Sequence, residues 1–317
     1  MLIRIPRGWE IPEREATPES VYRERRTLLK GLGLAAIGAA LPASLKARSE
    51  APPAAAPPAT VPGRYPAARS PRYTLDRPVT PEEVASRNNV FDEITLERDQ
   101  VWKVATGFPT SPWRIHIGGA VQKPLTLDVD DLIGRMALEE RLYRFRCVEA
   151  WAMAVPWTGF PFKKLIELAQ PLAKAKYVRM VTCASPERMP GWYASKRVFP
   201  YHEALSLKEA ENELTLLATG IYGHPLPMQH GAPLRLVVPW KYGLKNIKSI
   251  VAFQFTEEKP GTFWTDHAPQ SYTFESNVDP AVPRPWPQGE ERMIDTGETR
   301  KTLPYNGYAE HVAHLYA

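Results

Sequence analysis

The stretch "LYRFRCVEAW", residues 142–151, contains one of only two cysteines in a chain of 317 residues. Its alternation reads as a β-strand, with Tyr143, Phe145 and Cys147 on one face and Arg144, Arg146 and Val148 on the other. Three roles are open to Cys147. It is a small core residue beside two aromatics, half of a bridge to Cys183, or a thiolate that binds a soft metal. Arg144 and Arg146 favour the thiolate electrostatically, and Glu149 opposes them. A zinc site of ordinary type finds no support. C-x-x-C and H-E-x-x-H are absent, and His202, His224, His230 and His267 are scattered. C-x-x-C-H is missing too, so no haem is attached covalently. A cofactor that brings most of its own ligands would need a single protein thiolate.

Around this strand, helix and strand signals mix. "WRIHIGG" (113–119), "YVRMVTCAS" (177–185), "LRLVVPW" (234–240) and "KSIVAFQFTEE" (248–258) read as strands. "FPFKKLIELAQP" (160–171) places Phe162, Leu165, Ile166 and Ala169 at helical spacing between prolines. "LSLKEAENELTLLATG" (205–220) begins as a helix and ends as a strand. Regular βαβ alternation, G-x-G-x-x-G and the P-loop are all missing, so the expected fold class is an irregular, mixed α+β domain. The loop-rich tail carries Trp286, Tyr305, Tyr308 and Tyr316, which predicts that it wraps over the body.

The N-terminus reads as an address. In "ERRTLLKGLGLAAIGAALPASLKA" (24–47), Arg25 and Arg26 precede an apolar run too short and glycine-rich for a membrane span. Residues 1–47 are expected to be an export signal, 48–75 a solvated Pro/Ala-rich linker, and 76–317 one catalytic domain. Residues 1–47 hold 8 of the 40 Lys/Arg and 5 of the 35 Asp/Glu, so the remainder is nearly neutral and nucleic acid is not an expected partner.

Longer motifs carry a resemblance. "RCVEAWAMAVPWTGFP", "CASPERMPG", "LPMQHGAPLRLVVPWKYGLKNIKSI" and "NGYAEHVAHLY" resemble the catalytic subunits of periplasmic protein-methionine-sulfoxide reductases, a branch of the sulfite-oxidase-like molybdenum enzymes. Arg25-Arg26 resembles a twin-arginine export signal, with Glu24 where relatives carry Ser or Thr. The resemblance implies a sulfite-oxidase-like, molybdopterin-binding fold and a molybdenum-molybdopterin cofactor, with Cys147 as the metal's protein ligand. It also implies cofactor contacts from Asn88, Phe91 and Asp92 in "RNNVFDE", from Thr182, from His230 and Arg235 in "QHGAPLR", and from Asn246, Ile247 and Lys248 in "KNIK". Arg235 and Lys248 suit the pterin phosphate, and Asp92 suits a pterin N–H. His230 stands where some relatives have Asn and could titrate. Asn246 replaces a Gly of some relatives, which predicts a contact through backbone.

The implied reaction is reduction of methionine sulfoxide in oxidised periplasmic proteins, with electrons from a haem-containing membrane subunit and the quinone pool. Trp151, Trp157, Trp240 and Tyr242 are candidates to wall the substrate site. The chain leaves no room for the C-terminal immunoglobulin-like domain of sulfite oxidases proper, so a monomer is expected. The rival readings are sulfite oxidation, reduction of small S- or N-oxides, and a non-enzymatic exported binding protein stapled by a Cys147–Cys183 bridge.

Overall fold

The structure is a computed structural model that describes residues 63–185, 189, 191, 200–284 and 286–317. The export signal, most of the linker and part of "CASPERMPG" lie outside these residues. Among the strands, β1 is Arg114–Gly119, β2 Leu125–Asp128, β3 Glu139–Arg146, β4 Trp151–Pro161, β5 Tyr177–Thr182 and β6 His202–Ser206. They are followed by β7 Leu216–Ile221, β8 His224–Pro225, β9 Arg235–Val237, β10 Ile250–Thr256, β11 Glu290–Met293 and β12 Thr299–Lys301.

Two sheets share the core. The first has the order β2-β1-β10-β5-β6, antiparallel except between β1 and β10. The second has the order β12-β11-β4-β7-β8, with β3 on β4 and β9 on β7. Its spine is β4, which is buried at every position but its two ends instead of alternating, as expected of a strand covered on both faces. Pro156 cannot donate to a ladder, and it falls between the residues paired with β11 (Trp151, Ala152) and those paired with β7 (Trp157 to Pro161). Gly159 marks the bulge where β4 meets β7; a Cβ there would lie 2.2 Å from the Leu217 carbonyl oxygen.

The expected helix forms over Phe162–Ala169 and buries Phe162, Leu165, Ile166 and Ala169. The helix Leu207–Glu211 starts on a capping box between Ser206 and Glu209 and gives way to β7, so the mixed reading of 205–220 stands.

Two strands are shorter than their patterns suggested. "LRLVVPW" stays in the ladder only to Val237, because the Val238 N–H donates to Asn246 Oδ1 at 2.7 Å. β3 stops at Arg146, and Cys147 heads a turn. The Cys147 N–H donates to the Trp151 carbonyl (2.9 Å), the Ala150 N–H donates to the Cys147 carbonyl (3.1 Å), and Ala150 sits at φ 66°. Cys147 and Val148 therefore do not face opposite ways; both belong to one buried cluster with Tyr242, Tyr272 and Val278.

Packing also begins inside the Pro/Ala-rich stretch. Tyr65 donates its hydroxyl to Thr219 Oγ1 (2.7 Å), Arg69 pairs with Glu140 (2.6 Å), and Tyr73 meets Tyr143 edge-on at 5.4 Å. These aromatic and basic residues find sheet partners that composition alone does not reveal. The tail covers the body as expected. Trp240 Nε1 donates to the Tyr316 hydroxyl (2.8 Å), which donates to Glu209 (2.7 Å), while Asn306 Nδ2 donates to the Pro239 carbonyl (2.8 Å). Among the described residues no helix is long and apolar enough to cross a membrane.

Candidate active site

A cavity of about 260 Å³ opens where three distant parts of the chain meet. The segment after helix Glu82–Arg87 supplies one wall, the cysteine turn between β3 and β4 a second, and the stretch from His230 to Lys248 a third. Every expected site residue except Thr182 lines it. Thr182, fully buried at the end of β5, donates its hydroxyl to the Lys248 carbonyl at 2.7 Å. It acts on the cavity through Lys248. Asn246 is likewise committed to backbone: its Oδ1 accepts from Val238, and its carbonyl accepts from Arg235 at 3.2 Å. Asn88 donates its amide to the Val84 carbonyl (2.7 Å), which ties the cavity wall to the helix end.

The cavity brings together positive charge from buried Arg235 and half-buried Lys248. Arg235 donates to the carbonyls of His230 (2.8 Å) and Asn246, with its guanidinium 4.5 Å from the Trp157 ring centre. Lys248 donates to the Val90 carbonyl (2.5 Å) and lies over the Phe91 ring. Gly231, at φ 93°, lets that lysine pass, since a Cβ would sit 2.5 Å from the Lys248 Cβ. Among the described residues no carboxylate oxygen lies within 4.0 Å of either cation. Burial pushes Arg235 down to about 9. Burial and then Arg235 push Lys248 down to about 7, against the pull of Glu93, Asp92 and Cys147. Burial, Arg235 and Lys248 hold His230 well below its ordinary value, so the imidazole is neutral, with Nε2 3.3 Å from Ser86 Oγ.

Cys147 is 9% exposed and is not bonded to Cys183, so the bridge between them is not formed. Burial raises its thiol to about 12, while Arg98, Arg146 and Lys248 act in the opposite direction. Arg144, expected to assist, instead pairs with Asp76 at 2.8 Å and donates to the Asn306 carbonyl. Arg98 was not legible from local pattern. It lies at the cavity through an ion pair with Glu149, whose other oxygen accepts from Trp151 Nε1 (3.2 Å).

Of the four proposed wall aromatics, Trp151 and Trp157 line the cavity and Trp240 and Tyr242 do not. Trp240 anchors the tail, and Tyr242 packs behind Cys147. Phe145, Trp264, Tyr272 and Trp286 complete the apolar wall. No spacing in the sequence singles them out.

Comparison with known proteins supplies the lineage. Residues 103–264 match the family profile described as the oxidoreductase molybdopterin binding domain. The chain is 47% identical to the protein-methionine-sulfoxide reductase catalytic subunit MsrP of Xanthomonas axonopodis pv. citri (strain 306), over 97% of this chain and 95% of that one. This chain belongs to that family. It is an oxidoreductase with a mixed α+β molybdopterin-binding domain. Among solved structures, the sulfane dehydrogenase SoxCD of Paracoccus pantotrophus shows a distant likeness. The TM-score is 0.43 at 17% identity, covering 62% of this chain and 46% of that one.

The residues present fit the cofactor that the family name implies. Among the described residues no group of three His, Cys, Asp or Glu side chains could hold a metal ion, so a bare-metal site is not formed by them. A metal already carried on an organic dithiolene would need only the Cys147 thiolate. Arg235, buried, and Lys248, half-buried, both with backbone carbonyls as hydrogen-bond partners, suit a phosphate.

Proposed function

We propose that this chain reduces methionine sulfoxide residues in oxidised periplasmic proteins, using molybdenum held by molybdopterin and Cys147. The observation that carries the reading is the convergence on a single cavity of one thiol and two cations whose direct hydrogen bonds, among the described residues, go to backbone carbonyls. Bound there, the centre supplies two-electron oxygen-atom transfer. Reduction of a sulfoxide to a thioether consumes two electrons and two protons and releases water.

The chain's own residues bind and orient. Cys147 ligates the metal. Arg235 and Lys248 hold the phosphate, Asp92 takes a pterin N–H, and neutral His230 donates or accepts without adding a third charge. Asn88, Phe91, Asn246 and Ile247 shape the pocket, while Thr182 fixes the backbone of Lys248. Phe145, Trp151, Trp264 and Tyr272 offer an apolar wall suited to a methionine side chain and exclude water from it. The metal favours the thiolate that the bare protein does not.

The further assignments rest on the resemblance. Residues 1–47 direct export of the folded protein by the twin-arginine route, and a linker from residue 48 leads into the catalytic domain, against which Tyr65, Arg69 and Tyr73 already pack. Electrons arrive from a haem-containing membrane subunit fed by quinones.

The test is elemental analysis of protein matured in a host that makes molybdopterin, together with turnover on an artificial electron donor. Stoichiometric molybdenum and reduction of oxidised protein are expected. Turnover of sulfite with none of sulfoxide would overturn the reaction named, and metal-free protein would overturn the cofactor.

A further inference from the structure

The turn that presents Cys147 is held by a part of the chain outside the matched family region, which ends at residue 264. Gln288, 5% exposed, donates Nε2 to the Val148 carbonyl at 2.8 Å and to the Trp286 carbonyl at 2.9 Å. Its Oε1 accepts from Arg146 at 3.3 Å. Arg146, fully buried, donates to the Cys147 carbonyl, to the Glu290 carbonyl (3.1 Å) and to Thr302 Oγ1 (3.1 Å). Glu291 stands 3.4 Å from Arg146 and pairs through its other oxygen with Arg77 at 2.9 Å. The Arg292 N–H closes the set on the Ala150 carbonyl at 2.9 Å. The carbonyls of Cys147, Val148 and Ala150 are thus each fixed by a group from Arg146 or from residues 288–292.

We infer that Gln288 and Arg146 are positioning residues that set the orientation of the Cys147 sulfur toward the metal, and that the strap 288–302 is part of the active centre. A thiolate's covalency with its metal depends on its torsion and on nearby dipoles, and outer-sphere partners control both. Glutamine is the side chain the place requires. Its oxygen faces a guanidinium and its nitrogen faces two carbonyls, so neither a carboxylate nor an aliphatic group satisfies both sides. The inference rests on the proposed ligation by Cys147.

The experiment uses the molybdenum-loaded enzyme with Gln288→Leu, the isosteric Gln288→Glu, which keeps the acceptor and loses the donor, and Thr302→Val. The readouts are metal content, the electron paramagnetic resonance spectrum of the partly reduced metal, kcat and KM. Metal content near wild type is expected, with an altered spectrum, kcat down about tenfold for both Gln288 variants and KM within about twofold. Thr302→Val should move the spectrum the same way by less. Should Gln288→Leu not fold, the two shape-conserving variants carry the test. A wild-type spectrum in the loaded fraction overturns the inference, whether or not metal content or melting temperature falls. Cys147→Ser separates this from failure of the parent reading. If that variant keeps the wild-type spectrum, Cys147 is not the ligand. If its spectrum changes and the Gln288 spectra do not, only the positioning role is lost.

Discussion

Four cations come from one short stretch, "RLVVPWKYGLKNIK" (235–248), three of them buried and Lys248 half-buried, and they fall into two kinds. Lys241 meets Glu209 at 2.5 Å, and Lys245 meets Glu203 at 2.5 Å. Among the described residues, Arg235 and Lys248 hydrogen-bond to backbone carbonyls and lie over the Trp157 and Phe91 rings, and both line the cavity. A buried charge is costly unless paired, so the first two are internally neutralised structure, while the second two form a site whose cost an anionic ligand can offset. The difference between structural and ligand-binding cations is therefore one of partners, since both kinds come from the same short stretch of chain.

The largest expected effect tests the cavity side. Cys147→Ser should abolish sulfoxide reduction under an artificial donor while the folded protein is retained, as judged by circular dichroism. Activity at the wild-type level would dissolve the contrast.

Next comes the paired side. Glu209→Gln leaves Lys241 buried beside a neutral amide and should cost about 3–5 kcal/mol in denaturant unfolding, with metal content per folded molecule unchanged. The same variant should alter the acid limb of stability. Burial raises the Glu209 carboxyl, but Lys241 and Tyr316 more than offset it, so its folded pKa lies below 4.5. Its contribution is present above the unfolded value and is lost as pH falls through the folded one. A plot of stability against pH should flatten there in Glu209→Gln.

Lys248→Met should behave oppositely. Loss of a charge-assisted bond to the phosphate weakens cofactor retention by about 1.5–3 kcal/mol, or roughly ten- to a hundredfold. The cofactor-free protein should melt no lower than wild type, because the desolvated charge has gone. A large drop in melting temperature would place Lys248 with the paired lysines. The smallest effect is expected of Thr182→Val, which frees the Lys248 carbonyl from a 2.7 Å bond and should cost about 1 kcal/mol in stability of the loaded protein.

Much of this molecule was legible in its residues. The helical spacing of Phe162, Leu165, Ile166 and Ala169 and the helix-to-strand change after Glu211 gave two elements correctly. Motif resemblance named nine residues that do line one cavity. What escaped has a common cause. Cys147 was read into a strand because its pattern continues β3, yet the backbone turns there once β4 doubles back. Trp240 looked as suitable a wall as Trp151, but the tail claims it through Tyr316. Arg98 and Gln288 carry no motif at all and reach Cys147's neighbourhood only through the fold.

By itself, the order of residues determined the mixed α+β character and the thiol at position 147 with basic residues beside it. These follow from local periodicity, composition and side-chain chemistry, which need no partner to be defined. Tertiary structure decided which lysine is neutralised and which waits for a ligand, where the strand before the thiol ends, and which distant amide steadies it. Those outcomes depend on distances between residues far apart in the chain, and only packing sets such distances.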